Sequence, residues 1–491
     1  MSTQNQSEYE TRKEKLAELR EQGIDPYPAR TKRTHTVAGV TDDFGALEKK
    51  KSVVVIAGRV RSIRTHGGSS FLHIEDGTGR IQTYFKKDEV GEESYAFFSE
   101  FVGIGDFLEV HGVPFVTKKG EETLLVSEFT FLSKALRPLP EKWHGLADIE
   151  TRYRKRYLDL ISNEEVRELF RKRTAFIRHA RDFFAAREYM EVEIPVLEHV
   201  PGGADAEPFV TRHNTLDIDL YLRISLELYL KRLVVGGFDK VFEIGRVFRN
   251  EGMSTQHLQE FTMLECYEAY SDYNDYMELV EALYSQIVEK TFGTMKIAHK
   301  DGTLDFTPPW PRVDYEEIFK EKTGIALSDF PDKESFVKAA KKLDVKDVDL
   351  SLGRGRIIDQ VYKQLVRPEL IGPLFLIHHP VDVSPLAKRR VESPETTERF
   401  QVLIVGAEVG NGFSELNDPV DQKERFEKQM RLRDEGDKEA HMLDEDYIEA
   451  LEHGMPPTAG FGVGIDRLFS IVANQDSVRD VVLFPTMRPQ G

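Results

Sequence analysis

Four residues able to hold a nucleotide, Arg249, Glu251, His257 and Phe261, cluster around a polar segment between two β-rich runs, Lys240 to Arg249 and Phe261 to Tyr267. A guanidinium suits a phosphate and an aromatic ring suits a base. Taken alone the set is equally open to plain salt bridging, the commoner fate of a strand arginine. Alternation puts Gly245, Val247 and Arg249 on one face of the first run and Phe261, Met263, Glu265 and Tyr267 on one face of the second. Glu408 and Glu415 are seven residues apart, which places them on opposite faces of a regular strand. A one-residue bulge or turn at Gly410-Asn411-Gly412 brings both carboxylates to one side, and two hard oxygen ligands beside phosphates are how Mg²⁺ is usually held. The plain alternative is a pair of surface glutamates on a hairpin.

Gly460, Gly462 and Gly464 alternate along a short run that leads into Arg467. Glycine at every second position clears one face of a strand for a flat ring or a phosphate, with Arg467 reaching in from the start of a helix. The run lacks the G-x-G-x-x-G spacing of a dinucleotide fingerprint.

These residues need elements to position them. From Ser52 to Leu132 five short β-rich runs (Ser52 to Arg64, Ser70 to Asp76, Arg80 to Phe85, Asp106 to Val116, Thr123 to Leu132) fit a small closed barrel of the oligonucleotide-binding kind. Alternation assigns Leu72, Ile74, Ile81, Thr83 and Phe85 to its interior and Phe71, His73, Gln82 and Tyr84 to its outer side, with Arg59 and Arg61 sharing one side of the first strand. Exposed rings beside amide and guanidinium groups suit single-stranded bases, although they also serve simply to cover a barrel. Before the barrel, Glu8 to Gln22 reads as a peripheral charged helix stopped by Gly23 and Asp25-Pro26. The expected organisation is an N-terminal helical extension (1–50), the barrel (51–140), a proline-marked linker (141–150) and a second domain (151–491) with a helical insertion at about 311–370. In that domain a long helix from Glu164 to about Glu188 leads to a strand at Val192 to Val196. The last quarter holds strands at Phe400 to Val409 and Ala459 to Val463, then a helix from about Ile465. Clustered strands with few βαβ units favour an α+β fold around an antiparallel sheet.

The 491 residues carry a net charge of −18 and are 40% hydrophobic, which suits a soluble protein of several domains and excludes a single small binding module. The acidity argues against coating nucleic acid non-specifically. It is uneven, however: residues 1–145 hold 21 Lys and Arg against 22 Asp and Glu, leaving local contact with a polyanion open. No apolar stretch approaches the roughly 18 residues of a membrane helix. A single cysteine, Cys266, allows no intrachain disulfide, and a reducing, cytoplasmic setting fits.

Three segments in this order behind such a barrel, Arg173 to Pro208, Phe242 to Tyr270 and Gly460 to Leu468, resemble motifs 1, 2 and 3 of the class II aminoacyl-tRNA synthetases. Within that class the chain is similar to the lysyl-tRNA synthetases. The similarity lies in Arg137-Pro138-Leu139-Pro140, Pro201-Gly202-Gly203-Ala204, Phe248-Arg249-Asn250-Glu251-Gly252, Asn411-Gly412-Phe413-Ser414-Glu415-Leu416-Asn417 and the closing Leu483-Phe484-Pro485-Thr486-Met487-Arg488-Pro489. The resemblance covers nearly the whole chain. It implies a class II antiparallel sheet flanked by helices behind an OB-fold anticodon-binding barrel. It further implies activation of lysine with ATP to lysyl-adenylate, transfer to the 3′-terminal adenosine of tRNA(Lys), and a homodimer built through motif 1.

Carried over residue by residue, the resemblance gives Arg249 the α-phosphate and the amino-acid carboxylate. Glu251, His257 and Phe261 place ATP, with adenine between Phe261 and Arg467; Arg249 and Arg467 are the catalytic pair. Glu408 and Glu415 bind Mg²⁺. The lysine pocket maps to Gly203, Glu227, Arg249, Glu265, Tyr267, Asn411, Phe413 and Glu415, and the anticodon site to Arg59, Phe71, Gln82 and Glu128. Two carboxylates and a phenol at Glu227, Glu265 and Tyr267 are costly to bury without a cation, so a substrate ammonium completes them and an aspartate side chain is repelled. The alternatives are an aspartyl- or asparaginyl-charging enzyme, or a non-catalytic paralogue that binds nucleic acid. The second is expected to lose Arg249, Arg467 or the paired glutamates, and all four are present. Two segments depart from the family pattern: Ser225-Leu226 stands where Ala-Pro is usual, and Leu258-Gln259 where Asn-Pro is usual.

Overall fold

The computed structural model describes residues 3–140, 146–346, 348–350, 352–434, 436 and 440–490, so the first half of the expected linker, 141–145, lies outside the described residues. The chain forms two compact units, 1–147 and 148–491.

In the first unit, strands β1 (Val54–His66), β2 (Ser69–Glu75), β3 (Arg80–Lys86), β4 (Phe107–Val116) and β5 (Glu122–Ser133) close into a barrel in the order β1-β2-β3-β5-β4. Leu72, Ile74, Ile81, Thr83 and Phe85 are buried, as the alternation of β2 and β3 requires. A bulge between Val60 and Ser62 breaks the alternation of β1: Arg59 pairs with Glu75, Val60 with Ile74, and Ser62 with His73. Arg59 and Arg61 nevertheless keep the shared side expected of them, because Glu75, directly across from Arg59, is also the partner of Arg61. Arg61 is buried on Glu75 at 3.3 Å, and the shifted parity brings Arg64 directly across from Phe71. The first helix, Thr3–Glu21, is docked rather than peripheral, because Leu16 and Leu19 share a face and are buried, Leu19 within the barrel core. Arg12 adds hydrogen bonds to the carbonyls of Ile104 and Ala135.

The second unit is built on an eight-stranded sheet. Its chain-order strands are β6 (Met190–Glu191), β7 (Leu197–Glu198), β8 (Val210–His213), β9 (Ile218–Leu222), β10 (Lys240–Phe248), β11 (Glu260–Ala269), β12 (Lys296–His299), β13 (Gly302–Asp305), β14 (Arg312–Asp314), β15 (Leu374–Ile377), β16 (Arg399–Ile404), β17 (Ala407–Ser414) and β18 (Thr458–Gly464). The main sheet runs β14-β15-β16-β17-β18-β11-β10-β6, antiparallel except for the parallel pairs at its two ends; β7, β9 and β8 form a small second sheet. Alternation along the central strands divides the core. Phe242, Leu264, Cys266 and Phe461 pack under the helices Glu164–Ala185 and Tyr273–Phe292, while Val241, Tyr267 and Phe413 face the helix Glu227–Val235 and its neighbours Phe426 and Tyr447.

Three local expectations change. Phe400 to Val409 is not one strand but the hairpin β16–β17, turned at Val405 and Gly406, both with positive φ (51° and 65°). That is the backbone of a two-residue hairpin turn without the asparagine or aspartate that usually announces it. Val192 to Val196 is not a strand: Glu191 ends one short strand and Leu197 begins another, with Pro195 between them. The helical insertion starts only after β14, a sheet strand paired parallel to β15, and gathers its own core of Tyr315, Phe319, Phe336, Ile357 and Val361. Among the described residues, no helix is long and apolar enough to cross a membrane.

Candidate active site

A cleft of about 1360 Å³ opens on the Tyr267 face of the main sheet. It is lined by every residue named above for ATP, lysine or metal: Gly203, Glu227, Arg249, Glu251, His257, Phe261, Glu265, Tyr267, Glu408, Asn411, Phe413, Glu415 and Arg467.

At one end lie the cations. Arg249 leaves β10, donates through Nε to the Ile224 carbonyl at 3.3 Å, and rests its guanidinium 5.2 Å from the centre of the Phe261 ring. Arg467, in the first turn of the helix Ile465–Val472, donates to the Glu408 carbonyl at 3.0 Å. Between them His257 bonds Ser254 Oγ at 2.8 Å. Withdrawal from water, with Arg467, Arg249, Arg367 and Lys363 nearby, pushes the His257 imidazole down to about 4, so it is neutral near pH 7.

The alternating glycines do something different from the expectation. A side chain at Gly460 would overlap the Tyr267 ring and Glu415 Oε1, and one at Gly462 would lie 3.2 Å from Glu265 Cγ. Those two positions make room for side chains of this protein. Only Gly464, 3.8 Å from the Phe261 ring for an added Cβ, leaves a face beside the aromatic.

At the other end is a buried acidic group. Glu265 Oε1 accepts from Ser225 Oγ at 2.9 Å and from the Leu226 N–H at 3.0 Å, and Oε2 accepts from the Tyr267 hydroxyl at 3.0 Å. Burial and the neighbouring Glu227 carboxylate push Glu265 up to about 7, against those three bonds. Among the described residues no cation lies within ion-pair distance of it. Glu227 differs, because Lys231, one turn along the same helix, pairs with both Glu227 and Glu415. Burial disfavours a charged Lys231, but those two carboxylates outweigh it and hold the ammonium protonated. Phe413 packs 5.4 Å from Lys231 Nζ, and Asn411 Oδ1 accepts from Arg399 Nε at 2.8 Å. Gly203 has φ +84°, and a Cβ there would come within 2.8 Å of Ser225 Oγ and 2.9 Å of Glu227 Cβ. Lys231 escaped the sequence reading, although its i,i+4 spacing from Glu227 was an available signal, and Ser225 was noted only as a departure from the family pattern, with nothing local to mark its contact with Glu265.

The carboxylates proposed for metal stand on a bulged strand. Gln401 pairs with Asn411 but Leu403 with Glu408, so β17 carries one extra residue between Glu408 and Asn411, slightly before the expected place. The bulge restores a common side for Glu408 and Glu415, and both line the cleft. Among the described residues no group of three His, Cys, Asp or Glu could hold an ion by itself. The donor set, hard oxygens facing a nucleotide-sized space, fits Mg²⁺ shared with phosphates rather than a protein cage.

The barrel residues make separate contacts. Phe71 stacks on Tyr84 at 4.4 Å and 18°, and Tyr84 approaches Phe115 at 6.2 Å. Gln82, on the strand paired with that of Phe71, is buried and accepts from Thr123 Oγ1 at 2.9 Å. Arg59 instead lies over Phe107 at 4.3 Å and donates to the Gly105 carbonyl, and exposed Glu128 lies 3.9 Å from His111 Nδ1. Arg64, exposed across from Phe71, was missed because the bulge at Arg61 reverses the parity of β1.

Comparison with known proteins identifies the family. Residues 148–488 match the family of class II tRNA synthetases (D, K and N), and residues 54–132 match the OB-fold nucleic acid binding domain. Similar curated proteins include the lysine–tRNA ligases of Pelotomaculum thermopropionicum (52% identical, 98% of this chain and 94% of that one), Thermotoga maritima (50%, 98% and 96%) and Syntrophomonas wolfei (50%, 98% and 97%). The chain belongs to the class II tRNA synthetases of the D, K and N group, with an OB-fold domain ahead of the synthetase domain.

Proposed function

We propose that the chain is a lysine–tRNA ligase, an ATP-dependent enzyme that makes lysyl-adenylate and then lysyl-tRNA(Lys). The observation that carries this reading is Glu265: a buried carboxylate at the end of a nucleotide-sized cleft, hydrogen-bonded on both oxygens and lacking a cation among the described residues. The side-chain ammonium of lysine supplies that cation. Arginine is a poorer fit, since a planar fork seeks two free carboxylate oxygens and Oε1 already accepts two bonds. Aspartate meets Glu227, Glu265 and Glu415 together and is repelled. Full-length similarity to lysine–tRNA ligases supports the same choice.

In the first step a lysine carboxylate oxygen attacks the α-phosphorus of ATP, and pyrophosphate leaves. Arg249 holds the attacking carboxylate and the α-phosphate together, and Arg467 faces the charge that builds on phosphorus. Phe261 stacks the adenine on the side left open by Gly464, and neutral His257 serves as a hydrogen-bonding partner for phosphate without becoming an acid. Glu408 and Glu415 would hold Mg²⁺, which would supply positive charge beside the phosphates. In the second step the 3′ ribose hydroxyl of the terminal tRNA adenosine attacks the lysyl carbonyl and AMP leaves. Phe71 and Tyr84 of the barrel supply stacking surface for anticodon bases, with Arg59, Gln82 and Glu128 reading their edges. A homodimer belongs to this proposal, as the resemblance of Arg173 to Pro208 to motif 1 of the class implies. Charging of purified tRNA(Lys), but not tRNA(Asp) or tRNA(Asn), with labelled lysine is expected; charging of either of the latter with its own amino acid overturns the proposal.

A further inference from the structure

Glu265 owes its arrangement to a hydroxyl. Ser225 Oγ sits between two groups: it accepts from the Glu227 N–H at 3.1 Å and donates to Glu265 Oε1 at 2.9 Å. The Leu226 N–H donates to that same oxygen at 3.0 Å. The start of the helix Glu227–Val235 thus grips one Glu265 oxygen twice, through a peptide and through a side chain, and Ser225 is only 3% exposed. Oε2 accepts one bond, from Tyr267, against two at Oε1, so it keeps a lone pair, and Glu265 lines the cleft. Gly203 completes the arrangement, since any Cβ there would press on Ser225 Oγ.

We infer that Ser225 is a positioning residue for lysine recognition, its hydroxyl fixing Glu265 with Oε2 turned to the substrate ammonium and favouring the carboxylate form that the ammonium requires. The inference rests on the lysine reading of this site. The groups around Glu265 make that support necessary. Glu227 stands on the helix Glu227–Val235 with Lys231 behind it, and Glu243 lies across on β10, paired to Arg223. Glu415 follows β17, Glu198 stands on β7, and Tyr267 shares β11. On β18 the facing position is Gly462, which offers no side chain. Carboxylates dominate that list, the nearby cations Lys231 and Arg223 are engaged elsewhere, and a buried carboxylate among carboxylates takes up a proton unless donors hold the charge. Ser225 and Leu226 are such donors, and an alanine followed by a proline would supply neither bond.

The test is ATP–pyrophosphate exchange by the full chain from pH 6 to 9, with saturating ATP and Mg²⁺ and varied lysine. For Ser225→Ala, KM for lysine is expected to rise about tenfold at pH 7, the order of one hydrogen bond to a charged group, with kcat changed less than about twofold. The difference is expected to shrink toward pH 9, where Glu265 ionises even without the hydroxyl. Ser225→Thr, which keeps the oxygen, is expected to recover most of the loss. In the Glu265→Gln background Ser225→Ala is expected to add nothing, a coupling that general misfolding does not produce. A KM unchanged across the range, a fall in kcat with KM intact, or full additivity with Glu265→Gln overturns the inference. Failure of the unaltered protein to exchange with lysine at any pH defeats the underlying reading instead.

Discussion

The ammonium of Lys231 lies on the carboxylate of Glu415, and neither side chain has exposed surface. The same ammonium reaches Glu227, so one internal cation joins the carboxylate assigned to lysine recognition to the carboxylate assigned to the metal. Two of the three acids at this end of the cleft are therefore served by the protein itself, and the third, Glu265, is left for a ligand.

Lys231→Met removes the shared partner and leaves Glu227 and Glu415 buried together. Breaking one side of a buried ion pair costs about 3–5 kcal/mol. The urea midpoint is expected to fall accordingly. A midpoint equal to that of the unaltered protein would mean that the two carboxylates are not charged in the folded state.

Glu265→Gln keeps the shape and removes the charge. Because an amide offers the lysine ammonium no counter-charge, kcat/KM for lysine is expected to drop on the order of 10²–10³-fold in pyrophosphate exchange. Near-normal kinetics would remove Glu265 from lysine recognition.

A pH dependence accompanies that role. Burial and Glu227 raise the Glu265 carboxyl to about 7, above its usual range, so it is protonated below that pH and ionised above it. Binding the lysine ammonium needs the ionised form. The KM for lysine is expected to be lowest above pH 8 and to climb as pH falls through 7, approaching tenfold per unit on the acid side. A KM that stays flat between pH 5.5 and 8.5 would show that Glu265 is already ionised throughout.

In the barrel, Phe71 stacked on Tyr84 offers a base-sized face. Phe71→Ala is expected to raise the KM for tRNA about 10- to 100-fold, in line with ~1–3 kcal/mol per stacked base. Aminoacylation kinetics with varied tRNA would measure it, and an unchanged KM would assign the ring to covering the barrel.

The fold class was legible because the strongest signals are periodic and local. Alternation in β2, β3, β10 and β11 sorts Leu72 from Phe71 and Leu264 from Glu265 without tertiary information. The misses share a cause in contacts distant in sequence or in turns with unusual residues. Val405-Gly406 reverses the chain inside an apolar run, so two strands read as one. β14 and β15 are three and four residues long and pair parallel across the helical insertion, which leaves no local trace. The bulge at Arg61 turns a correct period into a wrong face for everything upstream or downstream of it, and Arg64 was lost that way. Ser225 lies forty positions from Glu265 in the chain, and no periodicity joins them.

The most direct measurement is ATP–pyrophosphate exchange by the purified protein with each of the twenty amino acids in the presence of Mg²⁺, since it reports on the cleft without requiring a tRNA. The account predicts exchange with lysine and none above background with aspartate or asparagine. Exchange with aspartate or asparagine, or silence with lysine from a folded protein, would contradict it.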